Sequence, residues 1–334
     1  MDILKTSLTG ELAPTREAHI DVSVIIVNYN TETLIPEALA ALKRAAAGIS
    51  LQIVIIDNNS RDGSVDLIRR DFPDCELIVN RTNVGFGRAN NQALDRVRGR
   101  YVLLLNTDAF VAADTLQKTI GYMDVHPRCG VLGVKLVGRD GVEQPSARFF
   151  PTPWNVFLNR TGLKRFFGKV RMVDDMDWDH ASVRQCDWVP GCYYLVRKEV
   201  IDQVGLFDPR YFVYCEEVDH CFAVKKAGWD VVCFPDTTVV HIGGESAKSD
   251  GEISQSGRQL EALQIESELL YFRKNYGLAA VLASVILSTA ADAMVVVKRL
   301  IKCRFPLGLI TCWKHARLVG TLFARTRWGT RPTR

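Results

Sequence analysis

The chain has 334 residues, of which 47% are apolar and 24% are charged. These proportions exclude a disordered or a fibrous protein, and the length is that of one large domain or of one domain with an appendage. The formal net charge of +4 conceals an asymmetry, because residues 298–334 carry ten lysines and arginines and no acidic residue.

The first element in chain order is a loose leader, residues 1–20, which lacks the long apolar stretch of a secretory signal. The nine cysteines include no Cys-x-x-Cys pair, and an odd number is a poor basis for a disulfide framework. We interpret the cysteines as reduced thiols that fill the core of a protein in a reducing compartment. Together these features predict a protein of the cytoplasm.

Strands alternate with short helices over the first part of the chain. Four apolar runs that end in polar turn residues predict buried strands. They lie at 22–30, 51–60, 75–80 and 100–108. Helices are predicted at about 32–47, at 63–71 and from Gly85 onward. This alternation is typical of an α/β fold with a mostly parallel central sheet and flanking helices.

The pattern changes at about residue 130. A hairpin is predicted with its turn at 138–141, followed by a loop-rich insert at 151–186. A strand leading into a helix, a loop leading into a helix and a pair of short strands then follow at 187–205, 207–228 and 229–244. The remainder of the chain is predicted to be helical.

Polar side chains follow each of the four early strands. They are Asn28 and Asn30, then Asp57 and Asn58, then Asn83, and finally Asn106 and Asp108. In an open parallel sheet, ligands bind outside the carboxyl ends of the strands, so these residues are predicted to form one polar crevice. A carboxylate at Asp57 can accept two hydrogen bonds from a pyrimidine edge or a ribose. For Asn58 and the two residues after it, turn formation is an equal explanation.

A Gly-x-Gly string follows the third strand, within the segment NVGFGRANN at 83–91. It does not match the dinucleotide-binding fingerprint, because it does not follow the first strand and it lacks the third glycine. One interpretation is a helix N-terminus at Gly85 whose N–H groups meet a phosphate, with Arg88 adding positive charge. The other is an ordinary helix start with a solvated arginine.

Asp108 comes after the most apolar strand of the chain. An ionised carboxylate at that place needs a partner, because burying it alone is costly. A divalent cation bound to a diphosphate would be such a partner, and hard oxygen ligands suit Mg²⁺ or Mn²⁺. The alternative role, an N-cap for the helix that starts near Ala112, is served better by Asp114.

Seven segments follow one another along the chain: VSVIIVNYN, IDNNSRDGS, NVGFGRANN, LLLNTDAFV, VPGCYYLVRKEV, FDPRYFVYCEEVDHC and VVHIGGES. In this order they resemble the motifs of family 2 glycosyltransferases of the GT-A fold, near the bacterial rhamnosyltransferase-like members. The resemblance covers roughly residues 21–275 and implies that Asp108 holds the metal. The family more often has aspartate where Asn106 stands, so Asn106 is expected to bind ribose or phosphate.

The resemblance also implies a general base among the acids that open the helix predicted within 207–228. The family pattern Glu-Asp-x-Asp stands here as Glu216-Glu217-Val218-Asp219, so Glu217 occupies the position of the usual aspartate. Asp219 is the second candidate for the base, and Glu216 is expected to orient the acceptor. The alternative is that these acids favour the helix dipole.

Further positions take roles from the same resemblance. His241 is expected near the metal or the diphosphate, and a neutral imidazole is a competent metal ligand. Trp188 and Gly191 stand where relatives line the donor-sugar and acceptor pocket, although tryptophan in a strand is more often part of the core. Ser246 and Lys248 are predicted to touch the diphosphate.

The implied activity is a metal-dependent, inverting transfer of a sugar to a lipid-linked or glycan acceptor in cell-surface glycan synthesis. The leading donor is dTDP-L-rhamnose, with UDP- and GDP-sugars left open. One alternative is a non-catalytic nucleotide-sugar or glycan-binding protein, which the glutamate at position 217 favours. The other is an NAD-dependent dehydrogenase, which the absence of glycine from the first strand-to-helix turn disfavours. No nucleic-acid partner is expected, and the oligomeric state is left open.

The segment 278–297 is apolar except for one charge, Asp292. It is long enough to span a bilayer, but a charge at mid-membrane is costly. We predict helices that lie on the inner face of the membrane, with the basic residues of 298–334 against anionic lipid. A helical cap on the catalytic domain is the equal alternative. The predicted organisation is a leader, a nucleotide-binding half, an acceptor-binding half and a basic membrane-associating tail, at 1–20, 21–128, 129–275 and 276–334.

Overall fold

The computed structural model of the protein describes residues 20–243, 257–301 and 307–334. These residues form ten strands. They are β1 (Val22–Asn28), β2 (Leu51–Asp57), β3 (Glu76–Val79), β4 (Tyr101–Leu105), β5 (Ala109–Val111), β6 (Cys129–Val137), β7 (Glu143–Gln144), β8 (Arg184–Gln185), β9 (Tyr193–Arg197) and β10 (Asp230–His241).

The same residues form nine α-helices and, at Leu163–Phe166, one 3-10 helix. The α-helices are α1 (Ile35–Ala45), α2 (Ser64–Asp71), α3 (Phe86–Asn91), α4 (Thr115–Val125), α5 (Pro153–Thr161), α6 (Lys198–Val204), α7 (Glu216–Lys226), α8 (Gly257–Ile301) and α9 (Leu307–Arg325).

All ten strands belong to one sheet, whose main order is β3-β2-β1-β4-β9-β6-β10-β5. Strands β1 to β4 are parallel, and β6 and β10 run in the same direction as they do. Strand β9 is inserted antiparallel between β4 and β6, and β5 is antiparallel to β10. The predicted α/β fold with a mostly parallel central sheet is therefore confirmed.

Both faces of the sheet are covered, which explains why the early strands are apolar at every position. Neighbouring side chains of a strand point to opposite faces. Val24 and Ile26 of β1 therefore pack with Leu42 of α1 in one buried cluster, while Ile25 packs in a second cluster with Tyr194. All eight cysteines of the described ranges are free thiols, and most of them are buried.

The strand register brings distant polar residues to one edge of the sheet. In the β1–β2 pair Asn28 lies opposite Asp57, so the ends of these strands are level. In the β5–β10 pair Ala109 lies opposite His241. This second pairing carries His241 to the residue next to Asp108, although the two are far apart in the sequence.

Two predicted segments differ from the structure. The insert at 151–186 contains α5, which begins at Pro153 and is capped by reciprocal hydrogen bonds between Thr152 and Asn155. The segment 229–244 forms one long strand, β10, with a register shift between Phe234 and Thr238, where Pro235 has no N–H to donate. The sequence predicts a pair of short strands, but the chain bulges at this point and the pairing resumes.

The C-terminal helices pack against the preceding part of the chain and against each other. Helix α8 is broken at Gly277, whose φ of 81° is outside the helical range, and α9 packs on α8. Asp292, the charge within the apolar stretch, is buried and paired with Arg160 of α5 and with His315 of α9. Within the described ranges one helical segment, 259–298, is long and apolar enough to cross a membrane.

The residues after α9 contact the first part of α8 and the loop before α7. The Thr333 hydroxyl donates to Glu266 over 2.7 Å, and the Arg334 guanidinium lies 5.2 Å from the centre of the Phe212 ring. The predicted helical extension is therefore observed, and it is attached along its length to the domain that precedes it.

Candidate active site

A cavity of about 700 Å³ opens at the carboxyl ends of the central strands. Its walls come from the ends of β1 and β4, from the loop before α3, from the start of α7, from the end of β10 and from the first part of α8. Nine of the predicted site residues line it: Asn83, Gly85, Asn106, Asp108, Trp188, Gly191, Glu216, Glu217 and His241.

Three predicted nucleotide-binding residues lie outside this lining and hold the strand-end loops instead. The Asn28 amide donates to Asp57 over 2.7 Å, and the Ser60 N–H donates to the other oxygen of Asp57 over 3.0 Å. Asn28 and Asp57 are fully buried. Asn30 has a positive φ of 53°, and its side-chain oxygen accepts from Arg61 N–H. These contacts are those of turn formation, and the predicted role of Asn28, Asn30 and Asp57 in nucleotide binding stays a prediction.

Asn58 and Asn83 join the second strand end to the loop before α3. The Asn58 amide donates to the Asn83 side-chain oxygen over 2.8 Å, and the same oxygen accepts from Gly85 N–H over 2.9 Å. Asn58 in turn accepts from Val84 N–H. This network fixes the backbone at Gly85, which forms part of the cavity wall.

The structure does not bring Arg88 to the cavity. Its Nε–H donates to the Pro209 carbonyl over 2.7 Å, and the Phe86 N–H donates to the Phe212 carbonyl over 2.8 Å. These two bonds dock the loop that precedes α7 onto α3. The positive charge predicted for the phosphates is therefore engaged in holding the loop that carries Glu216 and Glu217.

Asp108 and His241 face each other across the cavity edge. The His241 Nε2 lies 3.7 Å from an oxygen of Asp108, and the other oxygen of Asp108 accepts from Gly243 N–H over 3.1 Å. Burial lowers the pKa of His241, and the Asp108 carboxylate opposes part of that shift. The imidazole is therefore neutral at physiological pH, the form in which it binds metals.

This pair fits a divalent cation that is shared with a substrate. Two ligand atoms that each lie about 2.1 Å from one cation are themselves about 3–4 Å apart, and the observed separation falls in that range. The part of the chain that the structure describes contains no group of three or more histidine, cysteine or acidic side chains suited to a metal. The remaining coordination positions would be left to diphosphate oxygens and water, as is usual for Mg²⁺.

The acids at the start of α7 are partly or fully withdrawn from water. Glu216 is 3% exposed, and one of its carboxylate oxygens is buried without a hydrogen-bond partner. Burial and then the neighbouring Glu217 raise the pKa of Glu216 well above its ordinary range. Burial also raises the pKa of Glu217, which brings it closer to the range of a useful general base.

Backbone strain precedes these acids. Tyr214 and Cys215 both have positive φ angles, of 71° and 68°, although neither is glycine. Such conformations persist only where the surroundings impose them, and they cluster at functional sites. Here they turn the chain so that α7 starts with its two glutamates at the cavity.

Asp219 is held away from the cavity. Its oxygens accept from Lys274 Nζ over 2.5 Å and from Asn275 Nδ2 over 2.8 Å, and both partners belong to α8. With both oxygens bonded and only 3% of the residue exposed, Asp219 ties α7 to α8. Asp219 therefore lies outside the cavity that Glu217 lines.

Several lining residues were not found from the sequence. Arg148 stacks 4.7 Å from the Trp188 ring and lies 3.3 Å from Asp174, and both charged residues come from the 145–186 region. Glu268 of α8 accepts from Gln264 over 3.2 Å, and burial raises its pKa. Neither the spacing nor the periodicity of these segments indicates a site. Ser246 and Lys248, predicted at the diphosphate, lie outside the described residues.

Comparison with known proteins agrees with this geometry. Residues 23–176 match the family model described as glycosyl transferase family 2. Over 246 residues the chain is 28% identical to the N-acetylglucosaminyl-diphospho-decaprenol L-rhamnosyltransferase of Mycobacterium tuberculosis, covering 68% of this chain and 78% of that protein. It is 24% identical to the low-salt glycan biosynthesis hexosyltransferase Agl10 of Haloferax volcanii, covering 62% of each.

A solved structure extends the likeness to the fold. The mannosyltransferase PcManGT of Pyrobaculum calidifontis, in complex with GDP-Man and Mn²⁺, superposes with a TM-score of 0.52 at 17% sequence identity. The superposition covers 95% of this chain and 89% of the mannosyltransferase. The similarity therefore includes the C-terminal helices as well as the central sheet.

Proposed function

The chain is a family 2 glycosyltransferase with the GT-A fold, and on this premise we propose that its cavity brings a nucleotide-sugar diphosphate at Asp108 and His241 to an acceptor hydroxyl at Glu217. The observation that supports the proposal is that these three side chains, from three separate parts of the chain, line one cavity of about 700 Å³. The family assignment removes the dehydrogenase and the non-catalytic binding protein from consideration.

A divalent cation, Mg²⁺ or Mn²⁺, is part of this proposal. When bound, it would neutralise negative charge on the leaving diphosphate. Asp108 and His241 would hold it, with Gly243 N–H and the β5–β10 pairing fixing their positions. Asn106, on the same wall, offers an amide to the ribose or the phosphates.

The chemistry is a single displacement with inversion at the anomeric carbon. Glu217 accepts the proton of the acceptor hydroxyl while the new oxygen–carbon bond forms. The bond between the anomeric carbon and the diphosphate oxygen breaks, and its electron pair leaves with the nucleoside diphosphate. Glu216, with its buried and unpartnered oxygen, accepts a hydrogen bond from another acceptor hydroxyl and orients the sugar.

The proposed substrates follow from the relatives. The mycobacterial relative is named for transferring L-rhamnose to N-acetylglucosaminyl-diphospho-decaprenol. We therefore favour dTDP-L-rhamnose as the donor, a lipid-linked saccharide as the acceptor and cell-surface glycan synthesis as the process. Trp188 and Gly191 line the part of the cavity where the sugar of the donor would lie, and Gly191 leaves room for it.

Two substitutions test the site. We expect Asp108→Ala to abolish both the metal dependence of transfer and the binding of nucleotide diphosphate, because one ligand of the cation is lost. We expect Glu217→Gln to lower kcat by at least a hundred-fold while donor affinity stays within two-fold, because only proton transfer is impaired. Transfer is measured with radiolabelled donor, and donor binding by calorimetry with Mn²⁺.

The matched control is Asp219→Asn, an acid on the same first turn of α7 that lies outside the cavity. It should retain transfer at temperatures where it is folded. The proposal for the base is wrong if Glu217→Gln still transfers sugar at the wild-type rate, and the proposal for the metal is wrong if Asp108→Ala binds the donor normally.

The C-terminal helices supply a surface for the membrane that holds a lipid-linked acceptor. The second part of α8 exposes large apolar side chains at Ile286, Val297 and Ile301. The exposed side of α9 carries Trp313, which is 62% exposed, with the cationic side chain of Arg317 5.5 Å from its ring. Apolar and aromatic residues among basic ones suit the interface of an anionic bilayer.

Charge reversal on this surface tests membrane binding without truncating the chain. Each basic residue near an anionic surface contributes about 1 kcal/mol, so Lys314→Glu with Arg317→Glu should weaken sedimentation with phosphatidylglycerol vesicles at least thirty-fold. Arg69→Glu with Arg70→Glu, on the exposed side of α2, is the matched control and should bind as the wild type does. An equal loss of vesicle binding in the two double variants would show that net charge, rather than this surface, governs binding.

A further inference from the structure

The short strand β7 places one side chain beside a proposed metal ligand. Glu143 and Gln144 follow the turn at 138–141 and pair antiparallel with the end of β6. Both β7 and β10 pair with β6, and the side chain of Gln144 reaches His241, the last residue of β10. Two hydrogen bonds join the Gln144 amide to that one residue.

These two bonds determine which imidazole nitrogen carries the proton. The Gln144 Nε2 donates to the His241 backbone carbonyl over 2.8 Å, and a carbonyl can only accept. The amide oxygen of Gln144 must therefore be the atom that lies 2.9 Å from His241 Nδ1. Since an amide oxygen can only accept, Nδ1 must be the donor, and the neutral ring keeps its lone pair on Nε2.

The Nε2 atom, which carries the lone pair, is the ring nitrogen nearer the Asp108 carboxylate. The separation of 3.7 Å is too long for a hydrogen bond, and this tautomer leaves no proton between the two atoms. Two electron-pair donors that face each other at this distance are suited to a cation between them. In the other neutral tautomer, Nε2 would carry a proton and would offer no lone pair to a cation.

We propose that Gln144 is a positioning residue that holds the His241 imidazole with its proton on Nδ1, so that Nε2 remains available to a divalent cation shared with Asp108. The inference rests on the proposed function for the identity of the site, but the tautomer itself does not require a metal. Partners that orient a metal-binding histidine commonly contribute 10-fold to 100-fold in metal affinity, on the order of 1–3 kcal/mol.

The amide is suited to this task in a way that a carboxylate is not. One end of the Gln144 side chain must donate and the other must accept, because its two partners are a carbonyl and an N–H. A carboxylate at this position would set an acceptor against the His241 carbonyl, and a leucine would provide neither bond. The carbonyl bond also fixes the side chain in the orientation that the imidazole bond requires.

The test uses the full chain with Gln144→Leu and the control Glu143→Gln. Glu143 lies on the same two-residue strand and pairs with Lys135, but it does not contact His241. The first measurement is ¹⁵N NMR of histidine-labelled protein without metal, with His241 assigned by its loss in His241→Ala. The second is calorimetric Mn²⁺ affinity in the presence of UDP, with thermal unfolding as a check on the fold.

We expect His241 to show a protonated Nδ1 in the wild type and in Glu143→Gln, and a protonated or mixed Nε2 in Gln144→Leu. We expect the Mn²⁺ affinity of Gln144→Leu to fall 10-fold to 100-fold and that of Glu143→Gln to change less than two-fold. A wild-type His241 protonated at Nε2 overturns the inference.

The measurements distinguish a wrong role for Gln144 from a wrong metal site. If Asp108→Ala weakens Mn²⁺ binding and Gln144→Leu does not, the role of Gln144 is wrong while the metal site stands. If neither substitution changes Mn²⁺ affinity, the proposed metal site itself is wrong.

Discussion

Gly85 is the point at which the cavity wall and the loop before α7 come into contact. Its φ of 89° and ψ of 165° lie in a region that only glycine occupies readily. A Cβ atom placed there would lie 2.3 Å from the Phe212 carbonyl oxygen, well inside van der Waals contact. We therefore predict that Gly85→Ala separates the loop from α3 and lowers the stability of the protein.

The size of the effect follows from two contributions. Forcing alanine into this backbone region costs about 1–3 kcal/mol. Relieving the clash by moving Phe212 also breaks the 2.8 Å bond from Phe86 N–H, which contributes about 0.5–1.5 kcal/mol. We expect Gly85→Ala to lower the free energy of unfolding by about 2–4 kcal/mol, and to lower kcat because the same loop leads into Glu216 and Glu217.

Urea unfolding followed by circular dichroism measures the change, with Gly121→Ala as the matched control. Gly121 lies in the interior of α4, is exposed, and has no atom within 4 Å of the position of an added Cβ. Alanine is favoured over glycine in a helix interior by about 1 kcal/mol, so this control should stabilise the protein. A loss below 1 kcal/mol in Gly85→Ala, with normal kcat, would refute the reasoning.

Three further outcomes are expected. Because the folded-state pKa of Glu216 is raised above its unfolded value, ionisation favours the unfolded state, and stability falls as pH rises from the ordinary glutamate range toward the folded pKa. Glu216→Gln should remove this pH dependence and raise the free energy of unfolding by about 1–3 kcal/mol at neutral pH. If urea unfolding of the variant shows the same dependence on pH as the wild type, the prediction is wrong. Asp219→Ala should lower the free energy of unfolding by about 1–3 kcal/mol, because Asn275 loses its acceptor while Lys274 keeps Asp208, and a normal unfolding midpoint would count against the described pairing. Glu268→Gln should raise the KM for the acceptor several-fold and leave that for the donor unchanged, and equal changes in both would place Glu268 outside the acceptor site.

The parallel part of the sheet was predictable because its strands are long, apolar and followed by turn residues. The same reasoning predicted that polar residues gather at the carboxyl ends of the strands, but it did not predict which of them face the cavity. Asp57 is the last residue of β2 and turns inward to Asn28, while Asp108 lies three residues after the end of β4 and lines the cavity. The distance of each residue from its strand end decides this direction, and strand ends are the least certain part of a sequence pattern.

Other features depend on partners that the sequence does not reveal. Asp292 is an isolated charge in an apolar run until α5 and α9 bring Arg160 and His315 to it. Gln144 has no motif of its own and acquires its contacts only through the order of the strands β7, β6 and β10. The resemblance to family 2 enzymes singled out Asp108, Glu217 and His241, which line one cavity, because it compares whole motifs rather than single residues.

The attachment of the last residues to the catalytic domain affects how the protein can be handled. Gly329 lies against the Leu269 carbonyl, and Thr333 and Arg334 contact Glu266 and Phe212. Phe212 belongs to the loop that leads into Glu216 and Glu217, so an affinity tag fused after Arg334 would press on that loop. Removing 298–334 to obtain a soluble enzyme would likewise expose Leu269 and loosen the loop, and any inactivity of that fragment would say nothing about membranes.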